Sequence, residues 1–382
     1  MKKVFAIVLA MMLVLSAAAM AESVKIGVFE PASGDSGAGG KQEMLGMQYA
    51  NKETPTVEIG GETYDVELIY ADNGSDTTKA PSAAQQLVSE GVSVVLGSYG
   101  SGVSIAGSDI FKNANIPAIG VTCTNPQVTA GNSHYFRVCF LDPFQGTVLA
   151  NYASKELGAT VAYCLGELGN DYDQGLLTYF KQAFEGLGGT VMHEDFPTGT
   201  ADFNSYLTNA AGIGAQVFFC PVSIAYSTQI VQQAASQGAT FPILGSDTLD
   251  SNVVANAAKG TNVQVIITTF YQEGAAPEFD EGFKAWLAED SEAMTNNGGN
   301  DMISAVSAMG YDAYYTALEA LKAAGTTDSK AVMDTLPSVT YDGVSGHIEF
   351  DETGDAIRNA AFIKKINNET GDWEFVAEQT VD

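Results

Sequence analysis

The sequence predicts an α/β protein built as two doubly wound lobes with a ligand cleft between them. Three observations carry that expectation. Short β-rich runs alternate with amphipathic segments through most of the chain, which is the pattern of βαβ units and mainly parallel sheets. The length of 382 residues exceeds what a single hydrophobic core usually serves. No Pro-rich or Gly/Ser-rich linker separates the two series of units, so short strand-like crossovers are expected to join the lobes.

In the first series, β-rich runs predict strands at 24–29, 64–71, 92–97, 116–120 and 135–138, with helices between them at about 40–52, 78–90 and 103–113. The second series repeats the alternation with strands at 160–164, 190–195, 217–221, 241–245 and 263–270. Its amphipathic segments predict helices at 145–157, 172–187, 203–211, 224–237 and 251–259. Two more helices are expected near 278–288 and 301–324, followed by a β-rich tail over 339–376. Turn sequences in that tail, Tyr341-Asp342-Gly343 and Thr370-Gly371-Asp372, point to antiparallel ribbons rather than another βαβ unit.

The first 21 residues read as an export signal: Lys2 and Lys3, an apolar stretch over 4–15, then the small-residue pattern Ala19-Met20-Ala21. The apolar stretch is too short to span a bilayer. A lipid anchor needs a cysteine just past the signal, and the first in the chain is Cys123. The mature chain is therefore expected to begin near Glu22 and to be periplasmic or extracellular.

With 17 basic and 46 acidic residues the formal charge is −29, which opposes nucleic acid and anionic membrane surfaces as partners. Hydrophobic residues make up 46% of the chain and charged residues 16%, a composition unlike that of a disordered acidic protein. Cys123, Cys139, Cys164 and Cys220 are an even number in a chain expected to be exported, which permits two disulfides. A Cys164–Cys220 bridge and buried free thiols both remain open on the sequence. The cysteine spacing is not that of a zinc site.

Several segments, in order, resemble the branched-chain amino-acid (Leu/Ile/Val) binding proteins, which have the type I periplasmic binding fold of ABC importers. They begin with Val24-Lys25-Ile26-Gly27-Val28-Phe29, Tyr70-Ala71-Asp72-Asn73 and Val95-Leu96-Gly97-Ser98-Tyr99-Gly100-Ser101. Tyr135-Phe136-Arg137, Asp142-Pro143-Phe144-Gln145-Gly146, Asp171-Tyr172-Asp173-Gln174-Gly175 and Thr200-Ala201-Asp202-Phe203 continue the series, and 346–355 close it. The resemblance implies two doubly wound, Rossmann-like lobes joined by three crossovers, here near 142, 271 and 346. One lobe would comprise 24–141 plus 272–345, and the other 142–271 plus 346–382. It also implies a monomer that presents its ligand to a membrane permease.

In doubly wound sheets, ligands sit beyond the carboxyl ends of the strands. The turn Gly97-Ser98-Tyr99-Gly100-Ser101-Gly102 follows a strand and opens a helix, where free amides suit a carboxylate. A glycine-rich turn with a helix cap is the plainer role. The resemblance assigns Ser101 to the carboxylate; Tyr99, by its place in the same turn, is expected to form a wall of the pocket. Thr122-Cys123-Thr124 follows the next strand, and the resemblance places Cys123 and Thr124 on the same anion; a turn start before Pro126 is the alternative for Thr124. Tyr172 matches a ligand-contacting aromatic. Asp247 follows the strand 241–245 and suits a ligand ammonium, which needs a negative partner once desolvated. Ser223 stands where family members often carry an aromatic, with Tyr226 one helical turn away, so the side-chain pocket is expected to differ.

Catalytic readings fail on the residues. Gly34-Asp35-Ser36-Gly37 imitates a protease nucleophile motif, but no histidine precedes Ser36. His134, His193 and His347 pair with no cysteine or carboxylate at metal-ligand spacing. Phosphate-loop and dinucleotide fingerprints are absent from the sequence. The expectation is a non-enzymatic binder without cofactor or metal, taking a small molecule, foremost an amino acid. The alternatives are a binder of an amide, urea or aromatic acid, or a sensor subunit.

Overall fold

The computed structural model describes residues 22–380; the expected export signal at 1–21 lies outside them. Two sheets organise the chain. The first contains β1 (Ser23–Glu30), β2 (Thr56–Ile59), β3 (Glu62–Asp72), β4 (Val94–Leu96), β5 (Ala118–Gly120) and β6 (Tyr135–Arg137), in the spatial order β2-β3-β1-β4-β5-β6. All neighbours in it are parallel except the β2–β3 hairpin. The central strands are short and fully buried, Val94-Val95-Leu96 among them, as expected of a parallel sheet covered on both faces.

The second sheet holds β7 (Val161–Glu167), β8 (Thr190–Phe196), β9 (Val217–Phe219), β10 (Ile243–Gly245) and β11 (Val265–Thr269). After these come β12 (Thr340–Gly343) and β13 (Gly346–Glu349), which form a separate hairpin. Strand β14 (Ala360–Ile366) then adds antiparallel to β11, and β15 (Trp373–Thr380) antiparallel to β14, giving the order β15-β14-β11-β10-β9-β7-β8. The β-rich tail thus builds antiparallel ribbons, as its turn sequences predicted.

Helices cover both faces of each sheet. Helix Ser101–Ala114 packs on Ala80–Glu90 on one side of the first sheet, and Gly37–Glu53 packs on Ala305–Ala324 on the other. The chain between β11 and β12 therefore returns to the first sheet. Helix Asp142–Asn151 packs on Asp171–Gly186 beside the second. The periodicity of Ile224–Gln237 shows why such segments are helical: Ile224, Ser227, Ile230, Val231 and Ala234 recur at one-turn spacing and are all buried. Gly238, with φ 66°, ends that helix in the left-handed conformation.

Three details differ from expectation, and one left open is decided. The hairpin strand β2 was not predicted, although Gly60-Gly61 between Ile59 and Glu62 is a two-residue turn with φ of 62° and 93°. The long helix expected from 301 begins at Ala305, with Ser304 extended before it. Two short helices, Ser291–Asn296 and Ser329–Thr335, were also not predicted; Asp290 and Asp328 cap them by accepting hydrogen bonds from first-turn amides. All four cysteines are buried free thiols, so the Cys164–Cys220 bridge is not formed.

Candidate functional site

Each sheet reverses its winding once. In the first, the chain goes from β1 outward to β3 and then back across to β4; in the second, from β7 to β8 and then across to β9. Connections leaving such a reversal diverge to opposite faces and open a crevice at the strand ends. The two crevices face one another around a cavity of about 480 Å³. Pro31, Asp35 and Ser36 follow β1, while Tyr99, Ser101 and Gly102 follow β4. Opposite them, Glu167, Asn170, Asp171 and Tyr172 lie at the end of β7 and just beyond it, and Ser223 follows β9.

Of the residues singled out from sequence, Tyr99, Ser101, Tyr172 and Ser223 line this cavity. Cys123, Thr124 and Asp247 are buried behind it, at 0%, 0% and 2% exposure. Ser101 opens a helix whose first amides, at Ser101, Gly102 and Val103, have no acceptor among the described residues. Its hydroxyl accepts from the Asn125 amide at 3.2 Å, which leaves the hydroxyl hydrogen to donate. Thr124 Oγ1 makes no hydrogen bond of good geometry and lies beside Asp142, whose carboxyl burial pushes up to about 8. Cys123 packs in the core against Gly120 and Tyr135. Burial lifts its thiol to about 11.

Asp247 sits at the turn after β10, where Oδ1 accepts from Tyr172 Oη at 2.6 Å and from Gln145 Nε2 at 2.7 Å. The Gln145 amide is fixed in turn: its Oε1 accepts from the Asp247 backbone at 2.9 Å and from Thr268 Oγ1 at 2.7 Å. No donor among the described residues reaches Asp247 Oδ2. Burial raises the Asp247 carboxyl to about 6, and the Tyr172 and Gln145 donors hold it from rising further.

Further residues of the site were not singled out from sequence. Glu30, at the carboxyl end of β1, accepts from the Tyr99 amide at 2.7 Å and is fully buried. Burial, with Glu43 close by, pushes its carboxyl well above the usual range. Glu43 takes the Thr122 hydroxyl at 2.5 Å, and burial pushes it up to about 7. Thr122 therefore serves the acid rather than the cavity. Glu167 accepts from Thr198 Oγ1 at 2.6 Å and from Asn170 Nδ2 at 3.1 Å. Glu30 and Glu167 both end strands, so the strand-end rule applied to Ser101 and Asp247 would have found them.

Bonds cross the cavity from sheet to sheet. Tyr99 Oη donates to the Thr248 carbonyl at 3.2 Å, Asn125 Nδ2 donates to the Asp171 carbonyl at 2.8 Å, and Tyr226 Oη donates to Asp35 Oδ2 at 3.2 Å. Such contacts hold the two halves together over the crevice.

The sequence profile of periplasmic binding proteins matches residues 23–371. The chain belongs to the periplasmic binding protein family. It is 30% identical over 353 residues to the Leu/Ile/Val-binding protein homolog 3 of Brucella melitensis, covering 89% of this chain and 90% of that one. Among solved structures, a leucine-binding protein of Thermotoga maritima superposes with a TM-score of 0.82 at 31% identity, over 94% of this chain and 99% of the other. A branched-chain amino acid transporter substrate-binding protein of Streptococcus pneumoniae, solved with isoleucine, gives 0.81 at 25% identity, over 94% and 99%. This periplasmic binding protein therefore has the type I fold that the resemblance of its segments implied, and the α/β class that its alternating runs predicted.

Proposed function

We propose that this protein is the extracytoplasmic substrate-binding subunit of an ABC importer and captures an amino acid by hinge closure. The observation that carries the reading is the facing of two strand-end crevices with opposite polarity. Unpartnered amides and the Ser101 hydroxyl lie on the first sheet, and the Asp247–Tyr172 pair lies on the second.

A helix N-terminus favours a carboxylate. A desolvated ammonium needs an ionised acid, and Asp247 has an open oxygen for it. The lobes in this reading comprise 24–141 plus 272–345 and 142–271 plus 346–382. The carboxylate engages Ser101 and the helix amides first, and closure then brings Tyr172 and Asp247 over the amine, so that ligand binding selects the closed arrangement. The closed monomer is what a membrane permease recognises. The protein performs no catalysis in this reading and needs no cofactor. Names of similar proteins put leucine, isoleucine and valine among the first ligands to try.

A thermal-shift screen of the mature protein against amino acids, amides, urea and aromatic acids tests this. A ligand of the folded state present at 100 times its Kd adds about 2.7 kcal/mol of stability. The proposal predicts a rise in melting temperature with at least one amino acid; a response confined to acids lacking an amine, or to urea or amides, would sink it.

A further inference from the structure

We propose that the ligand carries a second positive group at its side-chain end, received between Asp35 of one crevice and Glu167 of the other. The inference rests on the amino-acid reading above and narrows it to lysine-like or arginine-like ligands.

Asp35 lies in the loop after β1 and Glu167 at the end of β7, on opposite sides of the cavity. Both reach one phenol: Tyr226 Oη stands 3.2 Å from Asp35 Oδ2 and 3.4 Å from Glu167 Oε1. That oxygen also accepts from the Gly199 amide at 2.9 Å. A phenol has a single hydrogen, so it can serve only one of the two carboxylates at a time. Closing the crevice thus brings two acids from different halves of the molecule onto one donor. Like charges brought this close repel, and a cation between them relieves the repulsion.

General acidity alone would scatter carboxylates anywhere on a chain of charge −29; the convergence on Tyr226 is more specific. The rest of the lining agrees with it. Among the described residues around the cavity there is no lysine, arginine or histidine, and its apolar side chains are few, Pro31, Val103 and Leu168 among them. Apart from the rings of Tyr99 and Tyr172, an aliphatic ligand side chain would find little to pack against.

A separate observation also points to a polar ligand. Ser223 lines the cavity, is 8% exposed, and its hydroxyl has no hydrogen-bond partner among the described residues. It heads the helix Ile224–Gln237 without capping it, although serine at that position usually does. A buried hydroxyl left unpaired costs stability, and an N–H group of a ligand would satisfy it. Asp35 is exposed and takes no other donor among the described residues, so it has acceptor capacity to spare. Glu167, already holding Thr198 and Asn170, is fixed in place.

The test measures affinity by calorimetry for lysine against norleucine, which differs only in lacking the terminal ammonium, and for arginine against its neutral counterpart citrulline. Cadaverine and agmatine, which keep the distal cation without the carboxylate, and leucine complete the panel. Expected is at least tenfold tighter binding of one cationic amino acid than of its neutral counterpart, with Asp35→Asn cutting that ratio several-fold. Equal or tighter binding of leucine, norleucine or citrulline overturns the inference and leaves amino-acid capture standing. Binding of cadaverine or agmatine without any amino acid upholds the second-cation site and overturns amino-acid capture. Binding of none of these compounds overturns the inference, and amino-acid capture is then decided by the wider thermal-shift screen.

Discussion

Tyr172 donates its phenolic hydrogen to Asp247 Oδ1 across 2.6 Å, tying the first turn of helix Asp171–Gly186 to the turn after β10. Gln145 grips the same oxygen from a third element, so the carboxylate is oriented before any ligand arrives. For Asp247→Asn we expect amino-acid affinity to fall by about 2–3 kcal/mol, the worth of a hydrogen bond to a charged group, or about 30- to 150-fold. The melting temperature of the ligand-free protein should be unchanged or slightly higher, because the substitution removes a buried charge. Calorimetry and thermal melting on the same variant check both; undiminished affinity would remove Asp247 from the site.

The buried acids give the protein opposite pH responses with and without ligand. Burial raises Asp247 from an ordinary value of 3.8 to about 6, Glu43 from 4.5 to about 7 and Asp142 from 3.8 to about 8. Each group binds its proton more tightly folded than unfolded, so its contribution is fully present near pH 4 and is lost as pH rises through its folded value. The ligand-free melting temperature should therefore decline between about pH 4 and pH 8. Ligand ammonium needs ionised Asp247, so affinity should weaken below about pH 6, by up to about tenfold per pH unit for a one-proton linkage. Melting curves and titrations at pH 5, 6 and 7.5 separate the two trends, and a pH-independent affinity would contradict the second.

A buried ion pair supports the loop behind the anion end. Arg137 is fully buried; its Nε donates to Asp355 Oδ1 at 2.5 Å, and its other nitrogens reach the carbonyls of Cys123 and Asn125 and the Thr129 hydroxyl. Asp355→Ala leaves the guanidinium without its counter-charge. The expected cost is about 3–5 kcal/mol, read as a lower urea midpoint; a loss under about 1 kcal/mol would mean that the carbonyls alone hold the arginine.

Two helices of the first sheet meet at glycine. A Cβ on Gly46 would lie 1.8 Å from the Ser307 carbonyl oxygen, and one on Gly310 would lie 2.2 Å from that of Glu43. Gly46→Ala should therefore destabilise by at least about 1–3 kcal/mol, because backbone rather than a flexible side chain must move. Gly186→Ala, at the end of a helix with nothing within 4 Å of the added carbon, should be neutral or stabilising by a few tenths of a kcal/mol. Denaturant melts of the pair check the contrast.

Much of this was legible in the chain because it depends on local pattern. Continuous apolar runs rich in β-branched residues, such as Val94-Val95-Leu96, fit strands buried on both faces, and helical spacing in Ile224–Gln237 fixes its inward side. The alternation of the two determined the α/β class; the strand-end rule led to Asp247 and, with the family resemblance, to Ser101, while the resemblance pointed to Tyr172 and Ser223. Boundaries set by caps, as at Asp290 and Asp328, were less clear, because one residue's hydrogen bond decides them rather than a repeating pattern.

What only the tertiary structure decided is which strand ends meet. Asp35 and Glu167 are 132 positions apart in sequence, and nothing local says that both approach Tyr226. Glu43 and Thr122, Gln145 and Asp247, and Gly46 and Ser307 are likewise brought together by sheet order and helix crossing. The four thiols follow the same logic: their spacing permitted bridges, but the strands set them in the core without pairing them. Sequence determines the periodicity that buries one face of each element. The charge of the cleft and the pairing of its acids arise only when two independently wound sheets close upon each other, since residues far apart in sequence converge only there.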